Sequence, residues 1–257
     1  MRALGIVGAL VLAVACGGNR ALLIAAGTTL VDSGFIESVA DAYTVETGVD
    51  VDVIGEATAQ VLALARSGSV DVTLTHAPDL EAEFETDGLA SRSAIVFTSR
   101  FIVAGPPGAD LTGSDAVEAF RQIAQAEGPF VGRQDGSGTA LVESVIWDLA
   151  GVDGPGQPWY VSTGQGMGLT LQVASERAAY VLAEFGTFLS TGSLALVDTG
   201  VSDPILENPY RVMSVAGTES VDAADEFVAW LSSADGRRAI EQASRVVFDR
   251  ADVYQLP

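Results

Sequence analysis

Along this chain, short apolar runs rich in valine, isoleucine and alanine alternate with longer segments whose apolar residues recur every three or four positions. The first pattern is typical of buried strands and the second of helices with one apolar face. In the first part of the chain, the predicted strands are residues 21–26, 49–53 and 70–75, and the predicted helices are residues 35–43, 58–66 and 79–86. A polar turn separates the first strand from the first helix. This alternating order predicts an α/β fold.

A second unit follows an extended apolar segment, residues 94–105, which stops at two prolines. The predicted helices of this unit are residues 114–127, 139–149, 169–176 and 184–189, and its predicted strands are residues 129–132, 159–161, 179–182 and 193–197. A returning strand over residues 208–215 then leads into a single helical stretch over residues 221–244.

This course of the chain, out through one extended segment and back through another, predicts two lobes joined by two crossing segments. We expect one lobe to comprise residues 21–100 and 210–257, and the other to comprise residues 101–209. Ligands of open α/β sheets bind outside the carboxyl ends of the strands, so the expected binding site is the cleft between the lobes.

The first 20 residues have the layout of an export signal. Arg2 precedes an apolar run over residues 3–15, which is too short to span a bilayer, and small residues lead up to Cys16. The segment before Cys16 is similar to a bacterial lipobox, which predicts a lipoprotein signal and tether over residues 1–20 with the lipid on Cys16. An ordinary cleaved signal with an incidental cysteine is the alternative. The lipobox predicts export to the periplasm or cell surface, with the protein anchored to the membrane.

The charge balance is strongly acidic. The sequence has 34 acidic residues against 13 basic ones, all of them arginine, for a formal net charge of -21. A duplex-binding protein needs a cationic surface to displace counterions, so this charge excludes nucleic acid as a partner. The 48% hydrophobic content is ample for a buried core, and we interpret the acids as a hydrated surface rather than a functional patch.

Hydroxyl residues and glycines gather where strands give way to helices, and the first such cluster is residues 27–34, with Thr28 and Thr29. Free backbone N–H groups and the positive end of the helix dipole coincide at a helix N-terminus and favour an anion there. The alternative is structural: Ser33 or Asp32 caps the helix and the threonines only fill a turn.

The second cluster, residues 132–139, again joins a strand to a helix through a glycine-rich turn. Arg133 offers a two-pronged charged contact, and the hydroxyls of Ser137 and Thr139 offer donors for the same oxygens. A salt bridge between Arg133 and Asp135, with the glycines serving the turn alone, is the alternative. The density of donors favours an anion site.

Two further clusters are less specific. Residues 163–168 contain three glycines that allow the backbone to approach a ligand closely, and Thr58 is either a helix cap or another donor. His76 is the only histidine and has no cysteine near it in the mature chain, so it does not predict a metal site. We interpret it as a structural residue.

Catalysis has little support in the sequence. We find no glycine-flanked nucleophile elbow, no histidine motif with metal-ligand spacing and no Walker-type lysine. A hydrolase or transferase that uses Ser137 as a nucleophile would need a base, and no motif in the sequence pairs Ser137 with His76. We therefore expect no enzyme, no metal centre and no cofactor, and we keep a surface-tethered sensor as a further alternative.

At these residues the sequence resembles the tungstate-binding component of ABC importers, a family of two-lobed periplasmic binding proteins of type II, from about residue 23 to residue 248. The matching segments include Thr28-Thr29, Thr58-Ala59-Gln60, Thr75-His76-Ala77-Pro78, Arg133 with residues 135–139, residues 163–168 and Asn208-Pro209-Tyr210. The resemblance implies an oxyanion shell of Thr28, Thr29, Thr58, Arg133, Ser137, Gly138 and Thr139, with Gly166, Met167 and His76 as secondary candidates. It implies tungstate as the favoured ligand, molybdate as the second, and an importer permease as the partner. We expect a monomer.

Several residues depart from the family pattern. Leu30 stands where the family usually has a hydroxyl residue, Ala57 and Ala59 replace glycines, and Glu56 adds a charge beside the expected site. A phosphate-binding protein of the same architecture, with a similar arginine-containing turn, is the alternative. Phosphate keeps protons at neutral pH and favours a buried carboxylate acceptor, which would repel a fully deprotonated tungstate or molybdate. Glu56 and Asp135 are therefore the residues to watch when the two ligands are compared.

Overall fold

The structure is a computed structural model that describes residues 20–257, so the signal segment and Cys16 lie outside the described residues. Its strands are β1 (Leu22–Gly27), β2 (Val51–Glu56), β3 (Val72–Thr75), β4 (Ala90–Gly105), β5 (Phe130–Gly132), β6 (Tyr160–Ser162), β7 (Val181–Glu184), β8 (Val197–Asp198) and β9 (Glu207–Val215). Its helices are α1 (Thr28–Asp32), α2 (Phe35–Thr47), α3 (Thr58–Arg66), α4 (Pro78–Thr86), α5 (Ala116–Gln125), α6 (Gly138–Ala150), α7 (Met167–Glu176), α8 (Phe185–Ser190), α9 (Val221–Leu231) and α10 (Ala234–Phe248). Among the described residues, none of the helices is long and apolar enough to cross a membrane.

The first sheet region consists of β2, β1, β3, β9 and residues 90–100 of β4. β1 lies between β2 and β3 and is parallel to both. β9 then pairs antiparallel with β3, and β4 pairs antiparallel with β9. The apolar runs of β1 and β3 are buried, as is typical of strands covered by helices on both faces. The predicted α/β fold is confirmed.

The second sheet region begins where β4 changes partners. Residues 101–105 of β4 pair with β7 and β8 instead of β9. β5 and β6 pair in parallel, and a bridge between Phe130 and Tyr180 brings β5 alongside the start of β7. The long strand β4 is thus shared by both sheet regions.

Apolar clusters lie within the sheet regions and also across the junction between them. One cluster lies within the second region, where the ring of Trp147 is 4.4 Å from Phe120 and 5.1 Å from Phe130. The largest cluster instead runs from Phe35, beneath the first region, to Met167 beside the second. Its side chains are removed from water on both sides of the junction, so apolar burial stabilises the arrangement of the two regions.

Two predictions of local structure near loops are wrong. Residues 28–32 form the helix α1 rather than a polar turn, although threonine and valine are weak helix formers, because burial of part of this helix outweighs its propensity. The strand predicted over residues 193–197 is limited to Val197–Asp198. Ser193 adopts a positive φ of 62°, which interrupts an extended path.

The single helix predicted over residues 221–244 is also wrong, because α9 and α10 are separate. The hydroxyl of Ser233 accepts hydrogen bonds from the backbone N–H groups of Asp235 and Gly236, at 3.2 and 3.3 Å. This N-cap satisfies free donors at the start of α10, so the chain begins a new helix there.

Candidate functional site

The predicted residues of the first clusters lie at one edge of the first sheet region. The register places Gly27 opposite Glu56, so the chain leaves β1 and β2 side by side. Thr28 then begins α1, Thr58 begins α3, and His76 follows the end of β3. Three helix or loop starts therefore face the same edge, as the strand order predicts.

The second cluster reaches this edge from the other sheet region. β5 ends at Gly132, Arg133 follows, and α6 begins at Gly138. Nη2 of Arg133 donates a hydrogen bond to Oγ1 of Thr28 at 3.2 Å, across 105 residues of sequence. The structure thus brings the two predicted clusters together.

Arg133 is a buried cation with one acidic partner. The residue is 1% exposed, and its Nε and Nη2 donate to Oδ2 of Asp135 at 3.0 and 2.6 Å. The salt bridge that the sequence left as an alternative therefore exists, and it fixes the guanidinium in place. Nη1, however, is buried and has no hydrogen-bond partner among residues 20–257. This nitrogen is a buried donor that the described residues leave unused.

Two threonine hydroxyls are also buried without a hydrogen-bond partner. Oγ1 of Thr58 and Oγ1 of Thr139 are buried and unpaired within the described part of the chain. Leaving a buried polar group unpaired costs about 1–3 kcal/mol, so folded proteins rarely do so without a reason. Both hydroxyls and Nη1 of Arg133 can donate hydrogen bonds, which is what an oxyanion requires of its site.

The start of α6 is held by hydrogen bonds within its own turn. Oγ of Ser137 accepts the N–H of Ala140 at 3.3 Å, and the backbone N–H of Ser137 donates to Oδ1 of Asp135 at 3.1 Å. The hydroxyl hydrogen of Ser137 remains free to donate. A Cβ added to Gly138 would lie 2.6 Å from Cε1 of His76, so only glycine allows α6 to approach so closely.

His76 lies at this contact as a neutral, buried ring. It stacks on Tyr210 with ring centroids 4.8 Å apart, and its Nδ1 is 2.8 Å from Oδ1 of Asn208. Burial lowers the pKa of His76 to about 4, and the charge of Arg133 acts in the same direction while the hydrogen bond with Asn208 opposes it. Because Nδ1 pairs with Asn208, it does not serve as a base for Ser137. The geometry agrees with a structural role.

Comparison with known proteins assigns this arrangement to a family. The model of a PBP superfamily domain matches residues 15–235. The chain belongs to the PBP superfamily. This membership, together with the solved relatives below, confirms the predicted two-lobed periplasmic-binding-protein architecture.

Three similar proteins are informative. A protein of Haloferax volcanii named "Putative ABC transporter anion-binding protein" is 34% identical over 237 residues, which cover 87% of this chain and 69% of the relative. The tungstate-binding protein TupA of Peptoclostridium acidaminophilum is 32% identical over 222 residues, which cover 82% of this chain and 77% of that protein. A crystal structure described as the tungstate ABC transporter from Geobacter sulfurreducens is 32% identical, with a TM-score of 0.77 and coverage of 87% and 98%.

Two residues near these clusters were named in the sequence analysis only as part of a segment that matches the family, and not as candidate site residues. Tyr210 places its hydroxyl 3.1 Å from Oγ1 of Thr29, and both residues are buried. Asn208, two residues earlier on β9, is 1% exposed, and its Nδ2 has no partner in the described chain. The alternation of side chains along a strand places both residues on one face, and this was the signal available in the sequence.

The third cluster contributes less than the sequence suggested. Gly166 is the N-cap of α7, and a Cβ added to it would lie 3.6 Å from Oδ2 of Asp32. Met167 is fully buried in the apolar core. Burial raises the pKa of Asp32, and the charge of Arg133 partly offsets this rise. The third cluster therefore approaches the end of α1 only through Gly166, which lies near the side chain of Asp32.

The structure shows where the residues that differ from the family pattern lie. Glu56 is exposed, so its charge faces solvent, and Leu30 is 0% exposed and belongs to the core. Asp135 is next to Arg133, and its oxygens accept from this arginine and from the N–H of Ser137.

Proposed function

We propose that this protein is an extracytoplasmic solute-binding protein that captures a tetrahedral oxyanion, tungstate first and molybdate second, for delivery to an ABC importer. One observation carries the proposal: Arg133 Nη1, Thr58 Oγ1 and Thr139 Oγ1 are buried donors without partners among residues 20–257. They lie on residues that follow strand ends in the two sheet regions. The remaining members of the proposed shell are Thr28, Thr29, Ser137 and Gly138.

The proposed shell draws on both lobes. We assign residues 21–100 and 210–257 to one lobe and residues 101–209 to the other, and the change of partners within β4 after Arg100 supports this boundary. The hydrogen bond from Arg133 to Thr28, at 3.2 Å, would then join the lobes directly. An anion bound by both lobes would stabilise the closed arrangement, because its ligands are complete only there.

Local charge balance explains how such a site would hold a dianion. The positive charge of Arg133 is offset by Asp135 at 2.6 Å, so the anion would be bound chiefly by neutral hydroxyl and N–H dipoles. Burying an ion without compensating hydrogen bonds is very costly. Fixed, water-excluded donors supply those bonds and act over distances too short for salt to screen.

The same contacts favour a fully deprotonated oxyanion over phosphate. A proton-bearing ligand needs an acceptor in the site, but both oxygens of Asp135 are engaged and Glu56 is exposed to solvent. Asp135 is thus held by Arg133 and by its own turn, and only its Oδ1 has room for a second hydrogen bond. The tungstate-binding names of two similar proteins support the same choice.

Calorimetric titration with tungstate, molybdate, sulfate and phosphate tests the proposal. Thr58→Val and Thr139→Val each remove one donor at nearly constant shape, and affinity should fall about 10- to 100-fold because a hydrogen bond to a charged group is lost. Thr73→Val is the matched control, since its Oγ1 is also buried and unpaired but lies within β3. Failure of the wild-type protein to bind any of the four anions would overturn the proposal.

We also propose that Cys16 carries a lipid that anchors the exported protein, which acts as a monomer. The lipobox-like segment supports this proposal. Labelling with palmitate in a bacterial host should mark the wild-type protein and not Cys16→Ser. Equal labelling of both proteins would contradict the anchor.

A further inference from the structure

Strand β9 carries two buried polar side chains on one face, at the crossing between the sheet regions. The hydroxyl of Tyr210 lies 3.1 Å from Oγ1 of Thr29, and Oδ1 of Asn208 lies 2.8 Å from Nδ1 of His76. His76 in turn touches α6, because a Cβ added to Gly138 would be only 2.6 Å from its Cε1. Asn208 is therefore flanked by residues that contact both halves of the proposed shell.

The amide nitrogen of Asn208 is a further unsatisfied donor. The residue is 1% exposed, and Nδ2 makes no hydrogen bond of good geometry to any of residues 20–257. It lies near enough to the phenol of Tyr210 to offset part of the rise that burial causes in the pKa of that group, which leaves at least one of its two N–H groups without a partner. It shares this condition with Nη1 of Arg133 and with the hydroxyls of Thr58 and Thr139. An amide NH2 group carries two N–H donors and no acceptor, so it suits the oxygen of an anion.

His76 determines which end of the amide is available. A neutral histidine carries one N–H, and when this proton is on Nδ1 it donates to Oδ1 of Asn208 at the observed 2.8 Å. The NH2 group must then point away from the ring. The other tautomer would accept from the NH2 group and leave the carbonyl oxygen unpaired, which would repel an anion. Stacking on Tyr210 keeps the ring in position.

We propose that Asn208 is an additional oxyanion-binding residue, that His76 positions its amide group, and that this pair selects against oxyanions that carry a proton. This inference rests on the proposed function. The NH2 group can only donate, so it accommodates any unprotonated oxygen and denies the O–H of hydrogen phosphate one of the positions in the site. His76 acts through Asn208 as a positioning residue.

Calorimetry with substituted proteins tests the role of Asn208. Asn208→Asp keeps the shape and the acceptor that faces His76 but replaces the donor with a charged acceptor. The Kd for tungstate should rise at least about tenfold, and the preference for tungstate over phosphate should fall. Asn208→Ala should raise the Kd about tenfold. Thr73→Val serves again as the control with a buried, unpaired hydroxyl outside the site, and melting temperatures without ligand identify any variant that fails to fold.

A spectroscopic measurement tests the role of His76 independently. The sequence has one histidine, so nitrogen-15 NMR of the imidazole, on protein purified without a histidine tag, needs no assignment. We expect the proton on Nδ1. A proton on Nε2, or wild-type affinity for tungstate in folded Asn208→Asp, would overturn the inference. If Thr58→Val weakens binding while Asn208→Asp does not, the inference alone fails; if the wild-type protein binds no oxyanion, the proposed function fails.

Discussion

Acidification should remove a large stabilising contribution from the buried, neutral His76. Burial lowers its pKa from 6.5 to about 4, aided by the charge of Arg133. Between these pH values the unfolded chain binds a proton at this position and the folded chain does not. The contribution is therefore fully present above pH 6.5 and is lost as the pH falls towards about 4, by about 3 kcal/mol in the free energy of unfolding.

Urea unfolding of the wild-type protein and of His76→Asn, measured between about pH 7 and about pH 4, isolates this contribution. Asparagine keeps an N–H group for Oδ1 of Asn208 and cannot titrate. Burial also raises the pKa values of Glu81, Glu143 and Glu184, but these carboxyls affect both proteins alike. The difference between the two free energies of unfolding should change by about 3 kcal/mol across the range.

The single histidine allows a direct check of the same quantity. Proton NMR of the imidazole C2–H follows one titrating ring without assignment. If the two stability curves stay parallel and the ring titrates near 6.5, the argument from burial is refuted. Such a result would mean that water reaches the ring in the folded state.

Three other predictions follow from the described contacts. Burial raises the pKa of Glu143 from 4.5 to about 7, so its contribution to stability is present below pH 4.5 and is lost as the pH rises to 7. Urea unfolding at about pH 5 and about pH 8 should show that the wild-type protein loses up to about 3 kcal/mol in its free energy of unfolding. Glu143→Gln should not show this loss. Ser233→Ala removes the N-cap of α10 and should lower the free energy of unfolding by about 1 kcal/mol, seen in thermal melts. Gly138→Ala should weaken oxyanion binding in calorimetry and also lower the melting temperature, because the added Cβ meets the buried His76 at the junction of the sheet regions.

The regular elements were predictable because their signals are local. Residues 58–66 were predicted as a helix and form α3 with the same bounds, since apolar residues at helical spacing need no distant partner to be recognised. The helix α1 was missed because its threonines and valine favour strands, and burial against distant segments decides its conformation. The break before α10 depends on a single hydroxyl, that of Ser233, within a continuous helical pattern.

Only those residues of the candidate site that belong to a local sequence motif could be predicted. Arg133 and Thr28 each stood in a cluster of donors, and the order of the strands placed both clusters at a cleft. Tyr210 and Asn208 lay in a segment that matches the family but in no cluster of donors. Their contacts with Thr29 and His76 span 181 and 132 residues of sequence and depend on the pairing of β9 with β3 and β4. The oxyanion shell itself stays a prediction until binding is measured.

The acidic surface repels an approaching anion over long distances, whereas the proposed site holds it through short hydrogen bonds. Because salt screens only the long-range repulsion, we expect the association rate constant to depend on salt differently from the dissociation rate constant. With a formal net charge of -21, the chain repels an approaching dianion. Raising the sodium chloride concentration from about 10 mM to about 150 mM shortens the screening length from about 30 Å to about 8 Å, whereas hydrogen bonds inside the site are hardly screened. The association rate constant of tungstate should therefore rise with salt in stopped-flow mixing while the dissociation rate constant stays nearly constant. An electropositive cleft would give the opposite trend, so a falling association rate would show that the field of Arg133 outweighs that of the surface acids.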